Sequence, residues 1–190
     1  MIEVKPAHKF ADMATMFAPK SPESSVCWCL SWRLGSRENR ELKGTARADR
    51  VRELCDRELA PGVLAHIDGE VAGWAGIAPR SELRPFANSK KIPHLDDLPV
   101  WSLWCVRVRP GYRKQGVTRA LIDGAVEYAQ ASGAPAVEAY PVDNAGQRVD
   151  QTMAYVGTRS MFERSGFTKA ADTSAVAGGF PRILMRRMLR

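Results

Sequence analysis

The chain has 190 residues, 45% of them hydrophobic and 26% charged, and its 28 Lys+Arg against 21 Asp+Glu leave a formal net charge of +7. That length fits one domain over residues 1–190, with 1–24 as an N-terminal extension of unplaced structure, and the composition can bury a core without disulfides or metal staples. Disorder and collagen-like repeats are excluded. The longest apolar run, around Val100 to Val106, falls far short of the roughly 20 residues a membrane span needs, so no membrane partner is expected. The start MIEVKPAHKF lacks the apolar core of a secretory signal, which predicts a cytoplasmic location and reduced thiols. Cys27, Cys29, Cys55 and Cys105 form neither a C-x-x-C pair nor a cluster with histidines, so no metal site is expected. The positive balance favours an anionic partner: nucleic acid, a membrane surface or a phosphate-bearing cofactor.

Residues 25–34, SVCWCLSWRL, are rich in β-favouring side chains and predict a first strand. Residues 47–59 place Val51, Leu54, Cys55 and Leu59 at helical spacing, with Thr45 as the cap. Within 62–79, two apolar runs flank Asp68-Gly69, a dipeptide that supplies the positive φ of a tight hairpin. Residues 80–99 have no clear periodicity and read as either a functional lid or a disordered stretch. A strand over 100–108 ends at Pro110-Gly111, since proline has no donor and glycine turns freely. Residues 117–130 put Leu121, Ile122, Ala125, Val126 and Ala129 on one helical face, stopped at Ser132-Gly133. A short strand over 136–140, a second polar loop over 142–154, a helix near 155–165 and a last strand over 182–189 complete the chain. That last strand mixes apolar and basic residues, which leaves monomer and homodimer both open. The order β-α-ββ-β-α-β-α-β describes an α/β domain with a mixed sheet.

Chemistry concentrates between the strand and the helix, in VRVRPGYRKQGVTRAL, residues 106–121. Arg113, Lys114, Gly116 and Arg119 surround the first turn of a helix, whose free N–H groups carry a partial positive charge. Gly116 allows close approach of a phosphate to the backbone, and the basic side chains add charge-assisted donors. A solvated basic turn capping a helix fits the same residues. The G-x-x-x-x-G-K-[ST] phosphate loop is absent.

These residues resemble the GCN5-related N-acetyltransferase (GNAT) superfamily, whose acetyl-CoA signature is R/Q-x-x-G-x-G/A after a strand ending V-x-P-x-Y-R. Val108-Arg109-Pro110-Gly111-Tyr112-Arg113 matches the strand end, and Arg113-Lys114-Gln115-Gly116-Val117-Thr118 the loop, with Thr118 departing from Gly or Ala. Met161-Phe162-Glu163-Arg164-Ser165-Gly166-Phe167 is similar to the family's L-Y-E-K-x-G-F block. The resemblance covers roughly residues 25–190 and implies a mixed, mostly antiparallel sheet flanked by helices, with splayed central strands. It implies acetyl-CoA as co-substrate: Arg113, Lys114, Gln115, Gly116, Val117, Thr118 and Arg119 on the pyrophosphate, and Val106, Arg107 and Val108 beside the pantetheine arm.

The family's reaction is direct attack of a neutral amine on the thioester, with a backbone N–H, here that of Val106, polarising the carbonyl. A base takes a proton from the ammonium and an acid protonates the departing thiolate. Phe162 replaces the family's acidic tyrosine, and Ser102 stands where some members carry a glutamate base. Ser160, Tyr155 or water can substitute as the acid, or the thiolate takes its proton from the amine that attacked. Glu138, Asp96, Asp97 and His94 are the nearby groups for base work, although each also reads as an ordinary structural residue.

Among five tryptophans, Trp101 and Trp104 lie on the cofactor strand and face opposite sides of it, as an odd separation requires. Loops 80–99 and 142–154 border the cofactor strands and are the expected place for acceptor specificity. They carry both signs of charge, so the acceptor stays an unidentified primary amine of a small molecule or peptide. The missing tyrosine and glutamate motivate an alternative, a non-catalytic acyl-CoA-binding sensor. No recognition helix or RNA-binding motif accompanies the charge, so no nucleic-acid partner is expected.

Overall fold

The computed structural model describes residues 1–150 and 155–189; residues 151–154 of the second polar loop and Arg190 lie outside the described residues. Seven strands form one sheet: β1 (Ile2–Pro6), β2 (Gly62–Ile67), β3 (Glu70–Pro79), β4 (Trp101–Val108), β5 (Ala136–Ala139), β6 (Thr168–Ala177) and β7 (Phe180–Met188), in the order β1-β2-β3-β4-β5-β7-β6. Each named pairing is antiparallel except β4 with β5, which is parallel. A parallel neighbour needs a long crossover. Helix α5 (Val117–Ala131) supplies it, burying Leu121, Ile122, Ala125, Val126 and Ala129 against one sheet face.

The other face is covered by α1 (Phe10–Phe17), α3 (Thr45–Cys55) and α4 (Arg84–Ala87), with Trp28, Leu30, Leu34, Trp74 and Trp104 in the core between, while α2 (Ser36–Glu41) buries none of its residues. The hairpin at Asp68-Gly69 has the positive φ values that a two-residue turn requires, 51° and 84°. Among the described residues, no helix is long and apolar enough to cross a membrane.

Four expectations need correction. Residues 25–34 form turns, because Trp28 and Cys29 both take left-handed φ, 50° and 57°, which aims consecutive side chains into the core instead of alternating them. Strand β1 pairs with β2 at the sheet edge within the stretch that had no placement, and α1 follows it. Strand β6 pairs with β7, so β7 is interior and offers no free edge for a partner copy. Its half-exposed, small polar sequence hid it. Gly44, at φ 55°, precedes α3, and Thr45 is its first helical residue.

Residues 80–99 are tied down. They hold a 3-10 turn at Arg80–Glu82 and then α4. The buried Arg80 guanidinium donates to the carbonyls of Phe86, Ile92 and Pro93 at 3.3–3.4 Å and to Glu138 of β5 at 2.9 Å. Backbone carbonyls folded around one cation give the segment order that apolar periodicity does not.

Two irregularities mark the central strands. Gly76 pairs with Cys105 and Ile77 with Leu103, so Trp104 is the extra residue of a β-bulge. Trp104 joins the core opposite to that of Trp101, in accordance with strand alternation before the bulge. A side chain at Gly76 would meet the Trp104 ring at 2.6 Å, so only glycine lets the indole lie across β3. Pairing of β4 with β5 stops at Leu103 and Ala139, and beyond it the two strands part.

Candidate active site

Where β4 ends, Arg109 N–H still donates to Ala72 at 2.9 Å, and the chain then turns through Pro110–Tyr112 into α5. Lys114 and Gly116 both have left-handed φ, 61° and 82°. The nearest atom to a side chain at Gly116 would be 3.9 Å away, so backbone conformation, not crowding, demands glycine there. The turn delivers the first residues of α5 to a cavity of about 210 Å³ lined by Val108, Tyr112, Lys114, Gly116, Val117, Thr118, Arg119, Ile122, Met161 and Arg164. Helix geometry leaves the first N–H groups of α5 without intrahelical acceptors, and Lys114, Arg119 and Arg164 add positive charge. The residues fit a bound phosphate ester.

Of the cofactor residues expected from sequence, Val108, Lys114, Gly116, Val117, Thr118 and Arg119 line this cavity. Arg113 is exposed outside the lining, and the Gln115 amide donates to Gly111 O at 3.0 Å. Arg107 points to the other sheet face, over the Phe17 ring at 5.5 Å, so only its backbone lies along the groove. Tyr112, Ile122, Met161 and Arg164 went unnoticed as lining, although Tyr112 stood in the strand-end match and Met161 and Arg164 inside the second matched block.

Past the bulge, Val106 N–H is not free. It donates to the Tyr155 carbonyl at 3.0 Å, across the gap the parting strands leave. A second cavity of about 360 Å³ is lined by Trp32, Phe86, Lys91, Ile92, Trp104, Tyr140, Tyr155, Val156, Ala175, Val176, Ala177 and Arg182. Trp32 stacks on Phe86 with centroids 4.4 Å apart, and Phe86 leans on Tyr140 at 4.6 Å. The first cavity reaches β4 at Val108 and the second at Trp104. Four residue steps along the strand separate them, about 13 Å.

The expected acid–base residues fare unequally. Glu138 is fully buried; one oxygen accepts from Arg186 at 2.6 and 3.0 Å, the other from Arg80 at 2.9 Å and Tyr140 at 3.3 Å. Its lone pairs are taken, so it is not placed to accept a proton from an amine. Ser102, also buried, bonds the Tyr140 hydroxyl at 2.8 Å and completes that closed chain. Asp96 pairs with Arg186, whose bond holds the carboxyl below the usual range, and His94 Nε2 lies 3.2 Å from the Ala87 carbonyl. Ser160 is exposed at the start of the short helix Arg159–Glu163, 3.2 Å from Thr158 Oγ1, and lines neither cavity. Phe162 is wholly buried, edge-on to Phe167 at 5.2 Å, a core residue with no path to a thiol.

Tyr155 remains. It lines the second cavity beside β4, and burial pushes its hydroxyl pKa up despite the Arg182 charge 4.7 Å above its ring. It keeps its proton at neutral pH.

Behind Trp104, Cys29 Sγ accepts the indole N–H groups of Trp74 at 3.2 Å and Trp104 at 3.1 Å. Burial alone would raise this thiol; the bonds from Cys105, Trp74 and Trp104 and the Arg33 charge outweigh it and hold the pKa below its ordinary value. The four thiols are free, and no cluster of three or more His, Cys, Asp or Glu fit for a metal occurs among the described residues.

Residues 29–167 match the profile of the acetyltransferase (GNAT) family. No curated protein matches the sequence. Among solved structures, a GNAT-family acetyltransferase from Streptococcus pneumoniae superposes with a TM-score of 0.56 at 16% identity, over 100% of this chain and 100% of that one. A PaiA N-acetyltransferase from Thermoplasma acidophilum, in complex with coenzyme A, gives 0.54 at 13% identity, over 100% of this chain and 99% of that one. A GNAT-family acetyltransferase from Bacillus cereus gives 0.54 at 14%, over 100% and 99%. At such identities the likeness is one of fold.

Proposed function

The chain belongs to the acetyltransferase (GNAT) family, and from that premise we propose that it transfers an acetyl group from acetyl-CoA to a primary amine of a small molecule or peptide, by direct attack in a ternary complex. The observation that carries this reading is the pair of cavities meeting one strand at Trp104 and Val108, one basic and rich in backbone donors, the other aromatic. Bound acetyl-CoA supplies a thioester carbonyl for an uncharged amine to attack, with the coenzyme A thiol as leaving group.

The chain's own groups then divide the work. The N–H groups that open α5, with Lys114, Arg119 and Arg164, hold the pyrophosphate, while Arg113 and Gln115 flank the loop from outside. The backbone of Val106, Arg107 and Val108 orients the pantetheine arm. Val106 N–H polarises the acyl oxygen, which requires that oxygen to replace the Tyr155 carbonyl as its acceptor. Tyr155, protonated at neutral pH, donates to the sulfur. The amine's proton leaves to solvent water, because among the described residues no carboxylate lines either cavity. Positioning two reactants on one strand supplies much of the remaining acceleration.

Calorimetric titration with acetyl-CoA, followed by incubation with a panel of amines and assay of free thiol, tests the reading. Saturable binding and amine-dependent thiol release are expected. Binding without release from any amine would favour an acyl-CoA sensor, and no binding would overturn the site itself.

A further inference from the structure

The second cavity has a chemistry of its own. Two cations, Lys91 and Arg182, contribute to its lining, the second while one of its N–H groups donates to the Tyr140 carbonyl, and among the described residues no Asp or Glu lines it. The carboxylates behind it are neutralised: Glu138 lies between Arg80 and Arg186, and Asp96 pairs with Arg186. A cationic acceptor would enter a positive field with no acid to meet it.

Aromatic walls can attract ammonium groups through their faces. Here two faces already carry the protein's own guanidinium groups, Arg182 over Tyr155 at 4.7 Å and Arg33 over Trp104 at 5.1 Å. What the walls still offer is flat apolar surface. Trp32 and Phe86 are stacked within 8° of parallel, and a planar ring extends such a stack. The volume of about 360 Å³ suits a small molecule.

We propose that the acceptor is a small amine with a planar apolar body and an anionic group such as a carboxylate, its ring laid on the aromatic wall at Trp32 and its anion met by the cations of the lining, Lys91 and Arg182. This rests on the acetyl-transfer reading above. Polyamines and lysine-rich peptides are thereby excluded as preferred acceptors.

The test uses the full chain loaded with coenzyme A, and three probes followed by tryptophan fluorescence, since Trp32 and Trp104 line the cavity. 3-Phenylpropionate joins ring to carboxylate, 3-phenylpropylamine joins ring to ammonium, and spermidine is a flexible polycation. Saturable binding of 3-phenylpropionate, at least about tenfold tighter than of either amine, is expected for a charge-assisted contact. Val176, 69% exposed on the rim, permits a charge change without disturbing the core. Val176→Lys should tighten 3-phenylpropionate and Val176→Asp weaken it, each about threefold for a partly solvated charge. Tighter binding of either amine, no binding of 3-phenylpropionate, or rim variants that act with the opposite sign would overturn the proposal. If acetyl-CoA itself does not bind in calorimetry, the acetyl-transfer reading fails first; if it binds while the probes behave otherwise than expected, only the acceptor inference falls.

Discussion

The two cavities meet the same strand yet are built by opposite means. The one at Val108 comes largely from a single stretch, 108–119, whose φ values at Lys114 and Gly116 present backbone N–H groups. The one at Trp104 is assembled from side chains at positions 32, 86, 104, 140, 155 and 182, far apart in sequence. A site made of contiguous backbone depends on a turn; a site made of convergent side chains depends on whatever fixes its walls. For the second cavity that support is Arg80, which holds the Phe86 and Ile92 carbonyls and pairs with Glu138.

The comparison breaks most visibly at that support. Arg80→Met removes one of the two guanidinium partners of the buried Glu138; breaking a buried pair costs about 3–5 kcal/mol, and Arg186, which still meets the carboxylate, holds the loss to about the lower end of that range. A loss of that size in urea unfolding is expected, together with loss of aromatic probe binding, while the coenzyme A affinity of the molecules that stay folded is kept. Adding Glu138→Met should restore much of the stability, because apolar replacement of a buried ion pair is often neutral, and Arg186 retains Asp96. Equal loss of coenzyme A binding would mean that the two cavities are not separately supported.

Tyr155→Phe sharpens the same contrast from the chemical side. Removing a proton donor lowers kcat by about 10²-fold, with coenzyme A affinity unchanged. The pH profile carries the sign. Burial raises the Tyr155 pKa above its ordinary value near 10, so its acid form persists through neutral pH and is lost only above that value. The rate should therefore climb with pH as the acceptor amine loses its proton, and the alkaline limb of the native protein should be missing from the variant. An identical profile in the variant would remove Tyr155 from proton transfer.

The difference in construction also explains what was legible in the sequence. Residues 106–121 announced a strand, a turn and a helix start because each is a local property: apolar alternation, Pro110-Gly111, and the periodic face from Leu121 to Ala129. The hairpin at Asp68-Gly69 was legible for the same reason. Residues 25–34 misled because their aromatic content reflects burial against the sheet rather than strand pairing, and the left-handed Trp28 and Cys29 leave no local mark. Glu138 had the right residue type for a base on the right strand, but its two guanidinium partners sit 58 and 48 residues away. Tyr155 was named as an acid, yet its hold on Val106 N–H depends on how two strands part, which no spacing encodes.

Gly116→Val tests the first cavity in its own terms. A β-branched residue at φ 82° costs about 1–2 kcal/mol, and relaxing the turn moves the first N–H groups of α5 away from the cavity. Coenzyme A binding should weaken about tenfold for a change of that size, with aromatic probe binding untouched. If affinity for coenzyme A is unchanged, the phosphates lie elsewhere.

The smallest effect separates the cavities by solvent exposure. Both are proposed to receive anions, but Lys114, Arg119 and Arg164 are exposed, whereas Arg182 is 6% exposed and packed over the Tyr155 ring. Screening acts on exposed charges within a Debye length, which shrinks from about 10 Å at 0.1 M salt to about 3 Å at 1 M, and acts much less on buried ones. Coenzyme A affinity, measured by calorimetry across that range, should fall severalfold, while 3-phenylpropionate affinity, measured by fluorescence, should fall by less than about twofold. A parallel decline would place the second anion contact at exposed Lys91 instead of Arg182, and the contrast between a solvent-facing turn and a walled cavity would then hold for shape but not for charge.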